Sequence, residues 1–355
     1  MHAMSRALEI RNLEVRFGRP PRQVAAVNDV SLQLAAGQTL ALIGESGSGK
    51  SVTLRAILRL HSPRSSTMRG SIRVGAHDVM TLSPRALADF RGAVAAMVFQ
   101  EPLLALDPVY PVGQQIIETM VRHRTCSPAQ ARRRAVELLE QVHIPSPERR
   151  IHAYPHEMSG GMRQRAMIAL ALSCAPQLLL ADEPTTALDA TVQIQILLLL
   201  REMQQALGLA IVFVTHDIGA AVEVADQIAV MYAGRIVEEG SARAVLRNPR
   251  HPYTQALLAS RAHGALNKGE RLAAIPGSPP DLARLPPGCA FAERCTRAQA
   301  RCLEEAPRLD ARDAGDAPAT RDAPATCDAQ LAKDDRDTHP VRCFFPLSAA
   351  AGDMN

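Results

Sequence analysis

Eight residues, Gly44-Glu45-Ser46-Gly47-Ser48-Gly49-Lys50-Ser51, constrain this chain more than any others. They fit G-x-x-x-x-G-K-[ST] in full. A short apolar run, Thr39 to Ile43, precedes them. From Val52 to Leu60 apolar residues recur at helical spacing (Leu54, Ile57, Leu58), so the segment reads strand, loop, helix. Each residue type has a physical reason. Gly44, Gly47 and Gly49 let backbone N–H groups turn inward around phosphate oxygens. Ser46, Ser48 and Thr53 belong to the same candidate cradle. The helix that follows points its positive end at the anion. Lys50 brings a full charge to the β- and γ-phosphates, and the Ser51 hydroxyl is placed to bind Mg²⁺.

A carboxylate must complete such a metal site. Leu178-Leu179-Leu180-Ala181-Asp182-Glu183 offers two at the end of an apolar run. Two adjacent acids there are costly without a cationic partner. Asp182 is expected to hold Mg²⁺, and Glu183 to orient and polarise the attacking water. Solvated acids at a strand end are the plain alternative.

Short apolar runs alternate with helical patterns along the chain. Leu8 to Val15, Val30 to Leu34, Ala95 to Phe99, Leu178 to Ala181 and Ala210 to Val214 read as strands. Met162 to Ser173 and Val192 to Leu207 read as helices between them, and about Leu103 to Met158 as mostly helical with Pro breaks. Ile228 to Met231 and Arg235 to Glu239, split by Ala233-Gly234, read as a hairpin. The alternation predicts an α/β fold with a mainly parallel central sheet.

Composition excludes some classes. Of 355 residues 47% are apolar but only 3% aromatic, with no Trp, so the core must rest on aliphatic side chains. The formal charge of +4 demands no acidic partner, and Arg132-Arg133-Arg134 reads as a solvated helix face rather than a nucleic-acid patch. No apolar run approaches the length of about 20 residues that spans a membrane. The N-terminus lacks the apolar stretch of a signal peptide, so a cytosolic protein without structural disulfides is expected despite seven cysteines. After about Ser260 prolines and cysteines crowd the chain. Residues 311–338, rich in Ala, Asp and Pro with DAPAT twice, are expected to form a disordered insertion.

Met158-Ser159-Gly160-Gly161-Met162 stands just before a predicted helix and upstream of Asp182. Ser159, Gly160 and Gly161 read as a second anion-binding helix start, with a generic Ser-Gly-Gly helix cap as the alternative. One nucleotide needs one cradle, so a spare one makes sense if it closes on the ATP of another subunit. Here the chain resembles the ABC-transporter ATPases, whose LSGGQ signature it matches as MSGGM. Met158 and Met162 depart from that pattern but leave the phosphate-contacting residues in place. The resemblance covers about Leu8 to Ser260. It implies a P-loop NTPase α/β fold, with a RecA-like core sheet, an antiparallel β subdomain and a helical subdomain at about 101–165. It also implies roles: Gln100 as the glutamine that senses Mg²⁺ and couples to the membrane domain, Asp189 as a residue crossing the dimer interface, and His216 as the γ-phosphate switch. Mg²⁺ would then lie among Ser51, Gln100 and Asp182. Phe17 is the candidate to stack on adenine, with a packing role as the alternative.

Outside these motifs the chain is similar to dipeptide/oligopeptide importers. The segments are Phe99-Gln100-Glu101-Pro102, Tyr154-Pro155-His156-Glu157, Asn248 to Thr254 and Gly277-Ser278-Pro279-Pro280. That likeness implies an ATPase domain at 1–260 and an importer-type C-terminal extension at 261–355, Cys- and Pro-rich. It also implies a heterodimer with a second ATPase under two permeases, fed by an extracytoplasmic binding protein. The place would be the cytoplasmic face of a bacterial inner membrane, peripherally. Nickel and glutathione importers use close relatives, and a soluble ATPase acting on nucleic acid or ribosomes is the remote alternative. Four cysteines of the extension, Cys289, Cys295, Cys302 and Cys343, suggest a soft-metal site. Their spacing is not that of zinc ribbons, and some similar importer subunits carry a [4Fe-4S] cluster on such a tail. Zinc, or reduced cysteines without metal, remain alternatives.

Overall fold

A computed structural model describes residues 6–19, 22–123, 126–186, 188–260, 275–310 and 339–347. The expected insertion at 311–338, with Cys327, lies outside the described residues. Among the described residues ten strands run in chain order as β1 (Arg6–Phe17), β2 (Val24–Ala35), β3 (Thr39–Ile43), β4 (Ser66–Val74), β5 (His77–Asp78), β6 (Ala95–Val98), β7 (Leu178–Asp182), β8 (Ala210–Thr215), β9 (Gln227–Tyr232) and β10 (Arg235–Ser241). They form a sheet ordered β2-β1-β4-β5 and another ordered β10-β9-β3-β8-β7-β6. The first is antiparallel. In the second every pair is parallel except the β9–β10 hairpin.

The central strands are apolar along nearly all of their length because both of their faces are covered. Ala41 and Ile43 of β3, Leu179 and Ala181 of β7, and Ile211 and Phe213 of β8 enter one core. Their neighbours Leu40 and Leu42, Leu178 and Leu180, and Val212 and Val214 enter the other. This is the period-two alternation of a pleated strand, expressed as two cores rather than as core and solvent. On the second face the sheet packs against β1, β2, β4 and the Lys50–Ile57 helix, through residues such as Leu13, Val30, Ile72 and Leu54. On the first face lie the helices of the segment predicted as helical. Val112, Ile116 and Met120, then Ala131, Ala135, Leu138 and Leu139, recur at helical spacing and are buried there. The prolines read as breaks stand at the starts of the Pro102–Ala105, Pro128–Gln141 and Pro147–Arg150 helices. Proline's missing N–H costs nothing at that position.

The described parts of the extension fold back onto the hairpin end of this sheet. Phe291 joins the first core and packs on Tyr232 and Tyr253, with ring centroids 5.3 Å away in each case. Pro340 and Val341 lie along β10, where the Glu239 amide donates to the Pro340 carbonyl at 3.1 Å and the Arg342 amide to that of Val237 at 2.7 Å. Glu238, fully buried, accepts from the amides of Arg250 at 2.6 Å and His251 at 2.9 Å and pairs with His339. A buried carboxylate survives because its oxygens are partnered in this way. Among the described residues no helix is long and apolar enough to cross a membrane.

Candidate active site

The phosphate loop leaves the buried end of β3 and enters the Lys50–Ile57 helix at Gly49. Gly49 has φ of +104°, and a Cβ there would stand 2.4 Å from the Ala26 carbonyl oxygen. At Gly44 a Cβ would stand 2.2 Å from that of Met231. Neither position tolerates a side chain, so the motif's glycines answer to close approach as well as to torsion. Lys50 is buried and curls back onto its own loop, with Nζ donating to the carbonyls of Gly44 at 2.9 Å and Glu45 at 2.8 Å. Ser48 Oγ lies 3.3 Å from the same nitrogen. Thr53 is buried and donates its hydroxyl to the Gly49 carbonyl at 3.0 Å. Ser46, Gly47, Gly49, Lys50 and Ser51 line one open cavity with Phe17 and Glu183. Phe17 stands edge-on to His61 at a centroid distance of 5.2 Å.

Beside the loop, Ser51 donates its hydroxyl to Asp182 Oδ1 at 2.7 Å, and Arg55 Nη2 lies 3.8 Å from Oδ2. Burial pushes the Asp182 carboxyl up, an effect opposed by the Ser51 hydrogen bond and by Arg55. Two oxygen donors side by side at the foot of a triphosphate loop suit a hard cation such as Mg²⁺.

Glu183 is held with φ of +46°, a conformation that non-glycine residues rarely adopt. Its amide donates to the Val214 carbonyl at 3.0 Å, so the strand end fixes the turn. Three side chains converge on Oε2: Thr186 Oγ1 at 3.0 Å, Gln100 Nε2 at 3.3 Å and His216 Nδ1 at 3.3 Å. Gln100, Glu183 and His216, expected from separate segments, are thus brought together. Thr186 was not anticipated, since a threonine three residues after an acid carries no signal of its own.

Ser159 caps the Gly160–Leu172 helix, its Oγ accepting from the Met162 amide at 3.3 Å. Asp189 caps the Ala190–Leu207 helix in the same manner, through the Val192 amide at 3.0 Å. The two helix starts meet: a Cβ on Gly161 would stand 2.8 Å from Val192 Cγ1, and one on Gly160 3.5 Å from Leu188. Ser159, Gly160 and Asp189 are exposed. No residue of Ser159 to Gly161 is among those described as lining the phosphate-loop cavity.

Cys289, Cys295, Cys302 and Cys343 all line a second, small cavity walled by Phe291, Phe344 and Phe345. Burial pushes the Cys289 and Cys295 thiols up, and that of Cys343 up to about 11. The donor chemistry suits a soft metal. Among the described residues, however, no three His, Cys, Asp or Glu side chains form a group that could hold a metal ion.

Leu282 of the extension also lines the phosphate-loop cavity, and its carbonyl accepts from the Ala25 amide at 3.2 Å.

The chain is similar to known proteins over most of its length. The family described as ABC transporter matches residues 27–186, and that described as the C-terminal region of oligopeptide/dipeptide transporters matches residues 237–302. A putative peptide import ATP-binding protein of Brucella melitensis is 48% identical over 300 residues, 84% of this chain and 90% of that protein. The oligopeptide transport ATP-binding protein OppD of Bacillus subtilis is 47% identical over 310 residues, 87% of each. Among solved structures, a dimeric ATP-binding cassette in a post-hydrolysis state with ADP and Pi superposes with a TM-score of 0.59 at 28% identity. It covers 66% of this chain and 99% of the cassette. CbiO1 of Clostridium perfringens, part of the ABC transporter complex cbiONQ, gives 0.59 at 26% identity, covering 68% and 90%.

Proposed function

The chain belongs to the ABC transporter family as an ATP-binding subunit of its oligopeptide/dipeptide branch, and from that premise we propose how it energises peptide import. The observation that carries the mechanism is the convergence of Gln100, Thr186 and His216 on one oxygen of Glu183, beside a complete phosphate loop. In our reading, Lys50 leaves its loop carbonyls for the β- and γ-phosphates of ATP, and Phe17 offers its ring to the base. Ser51 and Asp182 would hold Mg²⁺ with Gln100 nearby, and the ion would supply charge neutralisation at the phosphates. Glu183 orients a water for in-line attack on the γ-phosphorus, and His216 contacts the γ-phosphate. The exposed start of the Gly160–Leu172 helix caps the nucleotide of a partner ATPase, with Asp189 at the same interface.

The assembly we infer is a heterodimer of two such ATPases, under two permeases fed by an extracytoplasmic binding protein, at the cytoplasmic face of a bacterial inner membrane. The exposed apolar side chains of Phe99, Leu103, Val109 and Tyr110, next to Gln100, support that segment as the permease contact. Dipeptides or oligopeptides are the cargo that the named relatives support; nickel or glutathione is the alternative. The experiment is to purify the chain with its neighbouring subunits and measure ATP-driven peptide uptake into vesicles. An assembly that binds ATP without closing on a partner, or that moves no peptide, would refute the reading.

We propose the Cys-lined cavity as the seat of a [4Fe-4S] cluster that stabilises the extension, ahead of zinc; binding it would require the thiols to draw together from their described positions. Iron and sulfide analysis of anaerobically purified protein tests it, and colourless, iron-free protein ends it.

A further inference from the structure

Glu45, the second residue of the phosphate loop, is a carboxylate where the loop must receive a polyanion. Its side chain is met by Arg294 of the extension in a two-pronged pair: Nη1 to Oε2 at 2.7 Å and Nη2 to Oε1 at 2.9 Å. The guanidinium is itself locked in place. Its Nε donates to the Pro276 carbonyl at 2.8 Å and Nη1 to the Tyr232 hydroxyl at 3.1 Å. It lies 5.8 Å from the ring centroids of both Tyr232 and Phe291. The Arg294 side chain is 5% exposed and that of Glu45 25%, so water screens the pair only in part.

Glu45 also shapes the loop through its backbone. Its carbonyl accepts from Lys50 Nζ at 2.8 Å and from the Ser48 amide at 3.3 Å, and its amide donates to the Tyr253 hydroxyl at 2.8 Å. Whatever fixes Glu45 therefore fixes the first turn of the cradle. Freed of Arg294, the carboxylate would be an unpaired negative charge beside incoming triphosphate, and repulsive.

We propose that Arg294 is a positioning residue of the nucleotide site: carried on the C-terminal extension, it neutralises and orients Glu45 so that the phosphate loop accepts triphosphate. The inference rests on the ATP-binding reading of that loop. It makes the extension a working part of the ATPase.

The test is equilibrium binding of Mg-ATP to the full-length chain in four forms: unchanged, Arg294→Met, Glu45→Gln, and both together. Arg294→Met weakens binding about tenfold, equivalent to roughly 1.4 kcal/mol. In the Glu45→Gln background the same replacement costs less than about twofold, because the charge it unmasks is gone. Arg294→Lys, which keeps the charge but loses the fork, falls between. An equal loss in both backgrounds would overturn the proposal, leaving Arg294 as packing alone. Failure of the unchanged chain to bind ATP would instead overturn the reading beneath it. Should Arg294→Met not fold, the Glu45 variants decide: Glu45→Asp, too short for the fork but still charged, binds ATP less tightly than Glu45→Gln, and the opposite order overturns the proposal.

Discussion

Ser51 and Asp182 share a hydrogen bond of 2.7 Å that joins the start of the Lys50–Ile57 helix to the end of β7. Asp182 is 1% exposed, and burial raises its pKa above the ordinary value. A raised carboxyl binds its proton more tightly folded than unfolded, so stability falls as pH rises through that window. Holding an ionised Asp182 at neutral pH therefore costs the nucleotide-free chain stability. Asp182→Asn, which keeps an oxygen for the Ser51 hydroxyl, should raise the thermal midpoint at pH 7 without nucleotide. It should also lower Mg²⁺-dependent ATP hydrolysis by about a hundredfold or more. A variant that melts lower and hydrolyses normally would contradict both halves of the argument.

Among the described residues three side chains meet Glu183 at Oε2, and we expect Oε1 to hold the water. Glu183→Gln keeps the shape and removes the base. We expect ATP binding within about threefold of the unchanged chain and hydrolysis reduced by about 10²–10⁴, the range for loss of a general base. With the companion subunits present, the variant should accumulate as an ATP-bound closed pair, visible by size-exclusion chromatography with ATP but not with ADP.

Phe17 borders the same cavity as Gly47 and Lys50, and its ring is steadied by His61. Stacking on a base contributes about 1–3 kcal/mol per aromatic ring. Phe17→Ala should weaken ATP binding by about tenfold, whereas Phe17→Tyr should bind normally. If alanine changes nothing, the ring serves packing only.

The parts legible in the sequence were those with a local cause. The bounds of Thr39 to Ile43 are legible because a strand buried on both faces is almost wholly apolar. The helix after it begins at Lys50, two residues before the first apolar one, because the side chains of its opening turn bond to the loop carbonyls and to Asp182 rather than pack in the apolar core. β4 was not read at all. Its sequence, STMRGSIRV, buries only Ile72 and Val74, so polar positions hide the alternation. Its pairing with β1 joins Val74 to Leu8, a long-range fact that no window contains. The site divides in the same way. The loop, Asp182 and Glu183 announce themselves by spacing, whereas Arg294 meets Glu45 across 249 residues. Composition marked the extension as different but carried no sign of the surface it covers.

His251 links that extension to the core and predicts an acid limit. It caps the Pro252–Ala259 helix, with Nδ1 accepting from the Tyr253 amide at 3.0 Å, and is 1% exposed. Burial pushes its pKa down from 6.5 to about 4; Glu238 and a backbone hydrogen bond with Arg342 pull the other way, and the Arg342 charge adds a smaller downward push. A histidine kept neutral when folded takes up its proton on unfolding. Its contribution to stability is thus complete above pH 6.5 and is lost as pH falls toward 4. The size is on the order of 3 kcal/mol, from 1.36 kcal/mol per pKa unit. Thermal midpoints measured from pH 7 to pH 4 should therefore fall more steeply for the unchanged chain than for His251→Asn. Asparagine retains the capping acceptor but does not titrate. The variant should be less stable at pH 7, having lost the ring contacts with Phe291 and Tyr253, so that the two curves converge in acid. Parallel curves would place the acid sensitivity elsewhere.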